Sequence, residues 1–302
     1  MQLGVIGVPS SAGAYAPGQE QAPRALRAAG LLGALSAVGI DAVDHGDTPV
    51  WRWRPDAAHP RAQNVAAVVE SAVQGASLVR SALAAGEMVL VLGGDCTTGL
   101  GTIAGHLPGA TPIGVVYFDI HADLNTPLSV RDGALDWMGV AHLLGEDDAT
   151  AELKAFGPRT PLIDDDQIVL FGHGKEQSIA WELETIDRRE LATVPVHEVA
   201  ADPAAAAARA LAMLPDCERL IVHFDVDTID FTDAPLSENT GRNAGLSQQQ
   251  AFAALTVLAS DTRFSALTIT ELNPDHGAED GTTLTGFIGP LAAALRTAPN
   301  LS

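Results

Sequence analysis

The sequence predicts an α/β fold in which a parallel sheet is covered by helices on both faces. Short runs of residues that are apolar throughout recur along the chain, which is typical of strands buried on both sides. Longer Ala- and Leu-rich stretches with the spacing of amphipathic helices separate these runs. Strands and helices therefore alternate, and this alternation favours parallel pairing of the strands.

Six strands and four helices follow from these patterns. The strands are expected at 3–8, 88–92, 113–118, 168–171, 220–224 and 267–270, and the helices at 22–38, 64–85, 203–214 and 248–260. Pro203 follows Asp202 and is well placed as a first helical residue. Ser247 is a suitable N-cap for the last of these helices. No internal repeat or low-complexity linker divides the chain, so we expect a single domain spanning residues 1–302.

Composition limits the classes of partner. The 302 residues include 17 Lys+Arg and 38 Asp+Glu, a formal net charge of -21. Nucleic acid backbones and anionic membranes are bound by clusters of Lys and Arg, so this balance argues against both partners. The two cysteines, Cys96 and Cys217, cannot form a disulfide framework, which fits a reducing compartment. There is no evident signal peptide and no apolar run of the ~18 residues that a membrane span needs, so a cytoplasmic location is expected.

Metal-ligating residue types follow the strand expected at 113–118. Asp119, His121 and Asp123 are spaced at i, i+2 and i+4, which places their side chains on one side of an extended segment. Asp225 and Asp227 repeat this spacing after the strand at 220–224. Active sites of open parallel sheets lie outside the carboxyl ends of the strands, so these five side chains are expected to converge there.

A third strand end adds a thiol to this edge of the sheet. The strand at 88–92 ends in Gly93-Gly94-Asp95-Cys96, where the two glycines allow close approach of the backbone. So many acidic groups would repel one another at the edge of a low-dielectric sheet, and a positive group is needed among them. Carboxylate and imidazole ligands in this arrangement predict one or two divalent metal ions.

These motifs resemble those of the arginase/agmatinase (ureohydrolase) family. The similar segments are GGDC (93–96), DIHADLNTP (119–127), FDVDTID (224–230) and ELNP (271–274), together with an opening strand and the segment GAYAPG (13–18). The resemblance spans nearly the whole chain. It implies a three-layer α/β/α fold with a central parallel sheet, two Mn²⁺ ions and a homo-oligomer, either a trimer or a hexamer.

The resemblance also implies roles for individual residues. Matched position by position, the metal ligands are Cys96, Asp119, His121, Asp123, Asp225 and Asp227. Glu271 falls on the carboxylate that grips the substrate guanidinium. Asn125 matches a position that reads the α-carboxylate of arginine, which favours arginase-like over agmatinase-like members.

The activity so implied is hydrolysis of the guanidino C–N bond of arginine or a close derivative. Two metal ions that share one water lower its pKa and create a bridging hydroxide, which attacks the guanidinium carbon held by Glu271. Asp123 then carries the proton of the hydroxide to the departing amine. Urea or a substituted urea and an ornithine-like amine are the expected products.

The chain departs from the family at two places. Cys96 stands where the family usually has His, and a thiolate is a softer ligand than Mn²⁺ prefers, so we expect a weaker site or a different metal on that side. Asp132 and Asp136 align with a serine that helps to read the carboxylate and with a histidine proposed as a proton shuttle. Asp132 is the candidate substrate-binding residue and Asp136 the candidate catalytic residue. Two acids at these positions favour a substrate that carries an ammonium group there over one that carries a carboxylate.

Other candidates and alternative functions remain open. Glu176 is a candidate contact for the substrate amine and His173 for the pocket wall, whereas His142 and His223 are interpreted as core or rim histidines. The Cys96 and Asp136 changes suit an N-hydroxylated arginine, whose guanidine needs less activation. An agmatinase-type enzyme and a non-catalytic relative that binds a ligand or regulates a partner are the alternatives.

Overall fold

The computed structural model describes residues 1–108 and 111–301, and within them eight strands form one sheet. The strands are β1 Leu3–Gly7, β2 Ala42–Asp47, β3 Met88–Leu92, β4 Ile113–Phe118, β5 Ile168–His173, β6 Ala192–Pro195, β7 Arg219–Asp225 and β8 Phe264–Thr270. Their order is β2-β1-β3-β8-β7-β4-β5-β6. Every neighbouring pair is parallel, which confirms the predicted fold class.

Helices cover both faces of the sheet and produce three layers. They are α1 Ala22–Ala28, α2 Leu31–Ala37, α3 Val65–Ala84, α4 Thr98–His106, α5 Gly139–Leu143, α6 Ala151–Ala155, α7 Ala180–Arg189, α8 Val196–Ala201, α9 Pro203–Ala212, α10 Gln248–Ala259 and α11 Thr282–Leu295. One core packs α1, α2 and α8–α11 against the sheet, with Phe118, Phe171 and Phe224 at its centre. The other packs α3–α6 against the opposite face. Among the described residues, no helix is both long and apolar enough to cross a membrane.

The six expected strands are all present, with shifts of a few residues at their ends. The structure adds β2 and β6, the two edges of the sheet, whose sequences AVDHGD and ATVP contain no long apolar run. An edge strand pairs on one side only and is partly exposed, so an apolar run is not needed there. Both expected helix starts are confirmed: α9 begins at Pro203, and the side chain of Ser247 caps α10 by accepting a hydrogen bond from Gln250 N. Asp202 adds a cap to α9 by accepting from Ala205 N.

The expectation of one continuous helix over 22–38 is wrong. The chain forms α1 and α2 instead, and Gly30 between them adopts a left-handed conformation with φ of 96°. An α-helix cannot continue through such a residue, whereas glycine adopts it without steric cost. The apolar periodicity survives the break because both short helices bury leucines against the same core, including Leu26, Leu31 and Leu35.

Four strand ends meet at the centre of the sheet, and close backbone packing fixes their positions. Because β3, β8, β7 and β4 are adjacent, the residues that follow them share one edge. Glu271 N, after β8, donates a hydrogen bond of 2.8 Å to Gly94 O, after β3. A Cβ atom on Gly94 would lie 1.7 Å from Ser10 O, so only glycine fits there.

Replacement of Gly94 should therefore destabilise the protein. We expect Gly94→Ala to lower the free energy of unfolding by about 1–3 kcal/mol, because the new methyl group meets backbone that cannot rotate away. Gly33→Ala is the matched control, since nothing lies within 4 Å of a Cβ at this exposed helical position. That change should raise stability by about 0.5–1 kcal/mol. Urea denaturation measures both, and a Gly94→Ala protein as stable as the parent would contradict the packing argument.

Candidate metal centre and active site

Side chains from β4 and β7 meet directly outside the sheet. Asp119 follows β4, Asp225 ends β7, and His121 and Asp227 come two residues after each of them. His121 Nδ1 lies 3.1 Å from Asp227 Oδ2 and 3.5 Å from Asp119 Oδ1. Asn239 also donates to Asp227 Oδ2, at 2.8 Å. The alternating pattern of the two segments thus brings ligand types from both strands into contact.

Cys96 joins this group from the loop after β3. Its thiol donates to Asp225 Oδ2 at 2.8 Å, and the residue is buried. Burial, together with the charges of Asp225 and Asp123, raises the pKa of the Cys96 thiol well above its usual value, so without a cation it stays protonated. A metal ion at this position would displace that proton.

The described part of the chain contains two groups of possible metal ligands. Within each group, the ligand atoms all lie within 4.8 Å of one another. One group consists of Cys96, Asp119, His223 and Asp225, and the other of Asp119, His121 and Asp227. Asp119 belongs to both groups. Five of the six expected metal ligands belong to these two groups. His223, interpreted from sequence as a core or rim histidine, is an addition.

Asp123, the sixth expected ligand, lies beside these groups. Its backbone has φ of 50°, an uncommon conformation for a residue with a side chain. Tyr117 Oη donates to Asp123 Oδ2 at 2.5 Å, and both residues are buried. Burial and the charge of Asp119 raise the pKa of Asp123 well above its usual value. Tyr117 therefore fixes the orientation of this carboxyl group.

The electrostatics of the cluster fit a pair of divalent ions. Two buried oxygens, Asp119 Oδ2 and Asp227 Oδ1, have no hydrogen-bond partner, and such atoms are rare in native proteins. Burial and then the charge of Asp227 raise the pKa of Asp119 to about 7. Burial would also raise the pKa of Asp227, but His121 holds it below its usual value. Cations would satisfy the unpartnered oxygens and remove the repulsion between the carboxylates. Among the candidate ligands, Cys96 is the one whose soft sulfur does not suit Mn²⁺.

Glu271 is fixed at the wall of the site by two donors. The backbone N–H of Cys96 donates to Oε1 at 2.8 Å, and Gln19 Nε2 donates to Oε2 at 3.1 Å. Its backbone has φ of 59°. Burial and the charge of Asp95 raise the pKa of Glu271 well above its usual value. Each carboxylate oxygen has two lone pairs, so one remains on each oxygen for a planar cation with parallel N–H groups.

A narrow cleft opens over the cluster, and its wall is acidic. It is lined by Tyr15, Cys96, His121, Asp123, Asp136, Trp137, Asp225, Asp227, Asn239 and Glu271. These described residues include five carboxylic acids and no Lys or Arg. The rings of Tyr15 and Trp137 lie 6.3 Å apart at its mouth. Such a wall attracts a cation and repels an anion.

The remaining candidates lie in different surroundings. Asp136 is buried in the cleft wall, where burial and Glu271 raise its pKa. Asn125 is buried nearby, and its Oδ1 accepts from Ser129 Oγ at 3.0 Å. Asp132 is exposed and caps a turn by accepting from Ala134 N. Glu176 is exposed and lines a separate open cavity of about 990 Å³. The structure thus brings Asp136 to the cleft but neither Asp132 nor Glu176.

Sequence reasoning missed three residues that shape the site. Tyr117 carried a signal, because it precedes Asp119 by two residues on the same face of β4. Trp137 also had one, since it adjoins Asp136. Gln19 had none, because the N-terminal segment reaches Glu271 only through tertiary packing.

The pKa shifts predict how stability depends on pH and metal. Burial raises the pKa of Asp95 to about 6 and that of Asp119 to about 7, both above the unfolded value of 3.8. A raised carboxyl pKa stabilises the fold at low pH, and this contribution is lost as pH rises through the folded value. We therefore expect the melting temperature of the metal-free protein to fall between about pH 4 and pH 7. Added Mn²⁺ should restore it most at the higher pH. Calorimetry that shows no metal effect at the higher pH would contradict the metal assignment.

Comparison with known proteins agrees with the geometry. A sequence model described as the Arginase family matches residues 1–287. Arginase-1 of Homo sapiens is 29% identical over 279 residues, 91% of this chain and 86% of that protein. Mitochondrial Arginase-2 of Bos taurus is 30% identical over 284 residues, 90% and 77% of the two chains. The arginase structure from Bacillus caldovelox superimposes with a TM-score of 0.86 at 25% identity and covers 100% of this chain and 99% of that one. The chain therefore belongs to the arginase family.

Proposed function

We propose that this protein is a metal-dependent amidinohydrolase that cleaves the guanidino C–N bond of arginine or a close derivative. The observation that carries the proposal is the acidic cleft, in which Glu271 presents a fixed carboxyl group beside two groups of metal-ligand atoms. Family membership and the arginases among its relatives support the reaction class. The products are urea or a substituted urea and an ornithine-like amine.

The metal pair would be held by Cys96, Asp119, His121, Asp123, Asp225 and Asp227. Arginases use two Mn²⁺ ions, and we propose two divalent ions here, with the Cys96 side weaker or selective for another metal. When bound, such a pair supplies a water nucleophile that is active at neutral pH, which a resonance-stabilised guanidinium requires.

Glu271 binds and orients the guanidinium. Cys96 N–H and Gln19 each occupy one lone pair of the carboxylate, and this fixes its plane. The free lone pairs then accept two parallel N–H bonds from the substrate. A cation at this position favours the ionised form of Glu271 and offsets the cost of its burial. The cleft walls, Tyr15 and Trp137 included, exclude bulk water around the pair.

Asp123 moves the proton. Tyr117 occupies Oδ2 of this carboxyl group, so the proton exchange takes place at Oδ1. Asp123 accepts a proton from the attacking water and delivers it to the departing nitrogen, which would otherwise leave as a strongly basic amide anion.

Cys96 favours an N-hydroxylated guanidine as the better substrate. Four carboxylates already balance the charge of two divalent ions, and a thiolate would add a fifth negative charge and weaken the activation of water. A hydroxyl group on the guanidine withdraws electron density and lowers its basicity. The substrate then compensates for the weaker nucleophile.

Asp136 supports a second candidate, an agmatinase-type enzyme. This buried acid lies in the cleft wall with a raised pKa caused by burial and Glu271. An acid there would repel an α-carboxylate and accept a substrate tail that lacks one. A non-catalytic relative is the weaker alternative, because a binding protein has no need of a carboxyl group oriented like Asp123.

A panel of guanidines distinguishes these candidates. We expect the protein reconstituted with Mn²⁺ together with Co²⁺ to release hydroxyurea from Nω-hydroxyarginine faster than urea from arginine, and agmatine to be a poor substrate. Chromatographic detection of urea and hydroxyurea measures all three. A strong preference for arginine would overturn the N-hydroxy assignment, agmatine turnover would favour the second candidate, and inactivity on the whole panel would favour a binding protein.

Replacement of Glu271 tests the guanidinium grip. Glu271→Gln keeps the size and accepts from Cys96 N–H but loses the charge that pairs with the substrate. We expect kcat/KM to fall by about 10²–10³-fold, which corresponds to a lost buried charge pair. Glu279→Gln removes the same charge from an exposed loop and should leave kcat/KM unchanged. Metal content is measured in both variants, and a Glu271→Gln enzyme with full metal and full activity would contradict the assignment.

Three wider expectations stay predictions. A single domain over residues 1–302, a homo-oligomer of three or six copies and a cytoplasmic location follow from the resemblance and the composition. A small cationic guanidine as partner fits the charge of the cleft.

A further inference from the structure

His223 occupies a position on β7 that the expected ligand set does not use. It precedes Asp225 by two residues on β7, so these two side chains lie on one side of the strand. An imidazole and a carboxylate are thus two residues apart here, as they are in Asp119, His121 and Asp123 after β4. In the sheet, His223 pairs with Tyr117 of β4, directly beneath the cluster.

The imidazole of His223 points its Nε2 atom at Cys96. Nε2 lies 3.4 Å from Cys96 Sγ and 3.2 Å from Thr270 Oγ1, and Sγ lies 2.8 Å from Asp225 Oδ2. Zinc-type bond lengths at a tetrahedral angle give a sulfur–nitrogen separation of roughly 3.5 Å. The observed separation therefore needs little change on metal binding. Asp119, whose Oδ2 is buried without a partner, belongs to the same group of ligand atoms.

The surroundings hold this ring in one orientation. Tyr117 stacks on it with ring centroids 4.1 Å apart and planes within 3°. Helix α4 packs against the ring at Gly99, where a Cβ atom would lie 2.5 Å from His223 Nδ1. A glycine at this helical position thus leaves the space that the ring fills. A preoriented ring loses little conformational freedom when it binds a ligand.

We propose that His223 is the imidazole ligand of the Cys96 half of the metal centre. Cys96, His223, Asp119 and Asp225 then form a thiolate–imidazole–dicarboxylate site, in which His223 takes the place that the expected ligand set gives to Asp123. This donor set suits Zn²⁺, Fe²⁺ or Co²⁺ better than Mn²⁺. The other half, with Asp119, His121 and Asp227, keeps the oxygen and imidazole donors that suit Mn²⁺. The assignment rests on the proposed function only in placing two metal ions at this sheet edge.

Binding at this half changes the protonation of Cys96. The metal–sulfur bond forms as the S–H bond breaks, and the proton now shared with Asp225 is released to solvent. His223 donates the lone pair of Nε2 and needs no change of charge. The Cys96 half is therefore expected to differ from the His121 half in both spectrum and metal preference.

Cobalt titration of the metal-free protein tests the assignment without reference to catalysis. We expect the wild type to develop a thiolate-to-cobalt charge-transfer band together with intense visible bands of a four-coordinate site. Cys96→Ser should lose the charge-transfer band. His223→Gln should weaken Co²⁺ binding by about 10-fold or more. Loss of a residue that only supports a metal ligand already lowers metal affinity by about that factor, and loss of a ligand lowers it at least as much. His142→Gln is the matched control, because His142 is equally buried but contacts Met138 O and Thr150 N instead.

A second variant and a second probe keep the test sharp if His223→Gln does not fold. Gly99→Ala displaces the ring without removing it and should weaken Co²⁺ binding in the same way. X-ray absorption of the wild type with one equivalent of Co²⁺ should show one sulfur and at least one imidazole. Mn²⁺ titration should show one site that neither variant affects.

The outcomes separate this assignment from the proposed function. Wild-type Co²⁺ affinity in His223→Gln, with only a shifted charge-transfer band, would show that His223 merely hydrogen-bonds to the thiolate and would overturn the proposal. Retained affinity in Gly99→Ala would do the same. If the spectra behave as expected but no guanidine is hydrolysed, the proposed function fails while the ligand assignment stands.

Discussion

Burial of many carboxyl groups at one edge of a low-dielectric sheet governs the rest of this structure. The strand order places β3, β8, β7 and β4 side by side, so the residues that follow them, Cys96, Glu271, Asp227 and Asp123, meet within one cleft. Such groups ionise with difficulty because burial and mutual repulsion both oppose the charged form. The fold supplies backbone and side-chain donors to some of them and leaves two oxygens without any. Those two oxygens are the clearest structural sign that cations belong there.

Backbone strain accompanies this arrangement at two positions. Asp123 and Glu271 both have positive φ values, a conformation that costs energy for residues with side chains. Each is held by specific partners, Tyr117 for the first and Gln19 with the Cys96 backbone for the second. These are also the two residues to which the proposed mechanism gives the proton transfer and the guanidinium grip. Strain concentrated at such positions is typical of sites that are oriented before the substrate arrives.

Cys96 would make the two halves of the proposed metal centre chemically unequal. A thiol replaces an imidazole on one side, and His223 approaches from below with an imidazole of its own. Tyr117 connects this half to Asp123, because its ring stacks on His223 and its hydroxyl group donates a hydrogen bond to the Asp123 carboxyl group. In the proposed centre, a change of metal at the Cys96 side would reach Asp123 through these two contacts. The acidity of the protein, -21 overall, is consistent with a cationic substrate but did not by itself predict one.

The sequence alone determined the fold class, the six central strands and the convergence of Asp119, His121, Asp225 and Asp227. These follow from local rules, since buried strands must be apolar and alternation places i and i+2 on one side. It did not reveal the edge strands β2 and β6, because a half-exposed strand needs no apolar run. It could not show that Gln19 hydrogen-bonds to Glu271, because the two residues are 252 positions apart. It also could not show that His223, which it placed in the core or at its rim, lies beside the Cys96 thiol. Only the tertiary structure decided these points, because contacts between distant segments depend on which strands are neighbours in the sheet, and spacing along the chain does not encode that order.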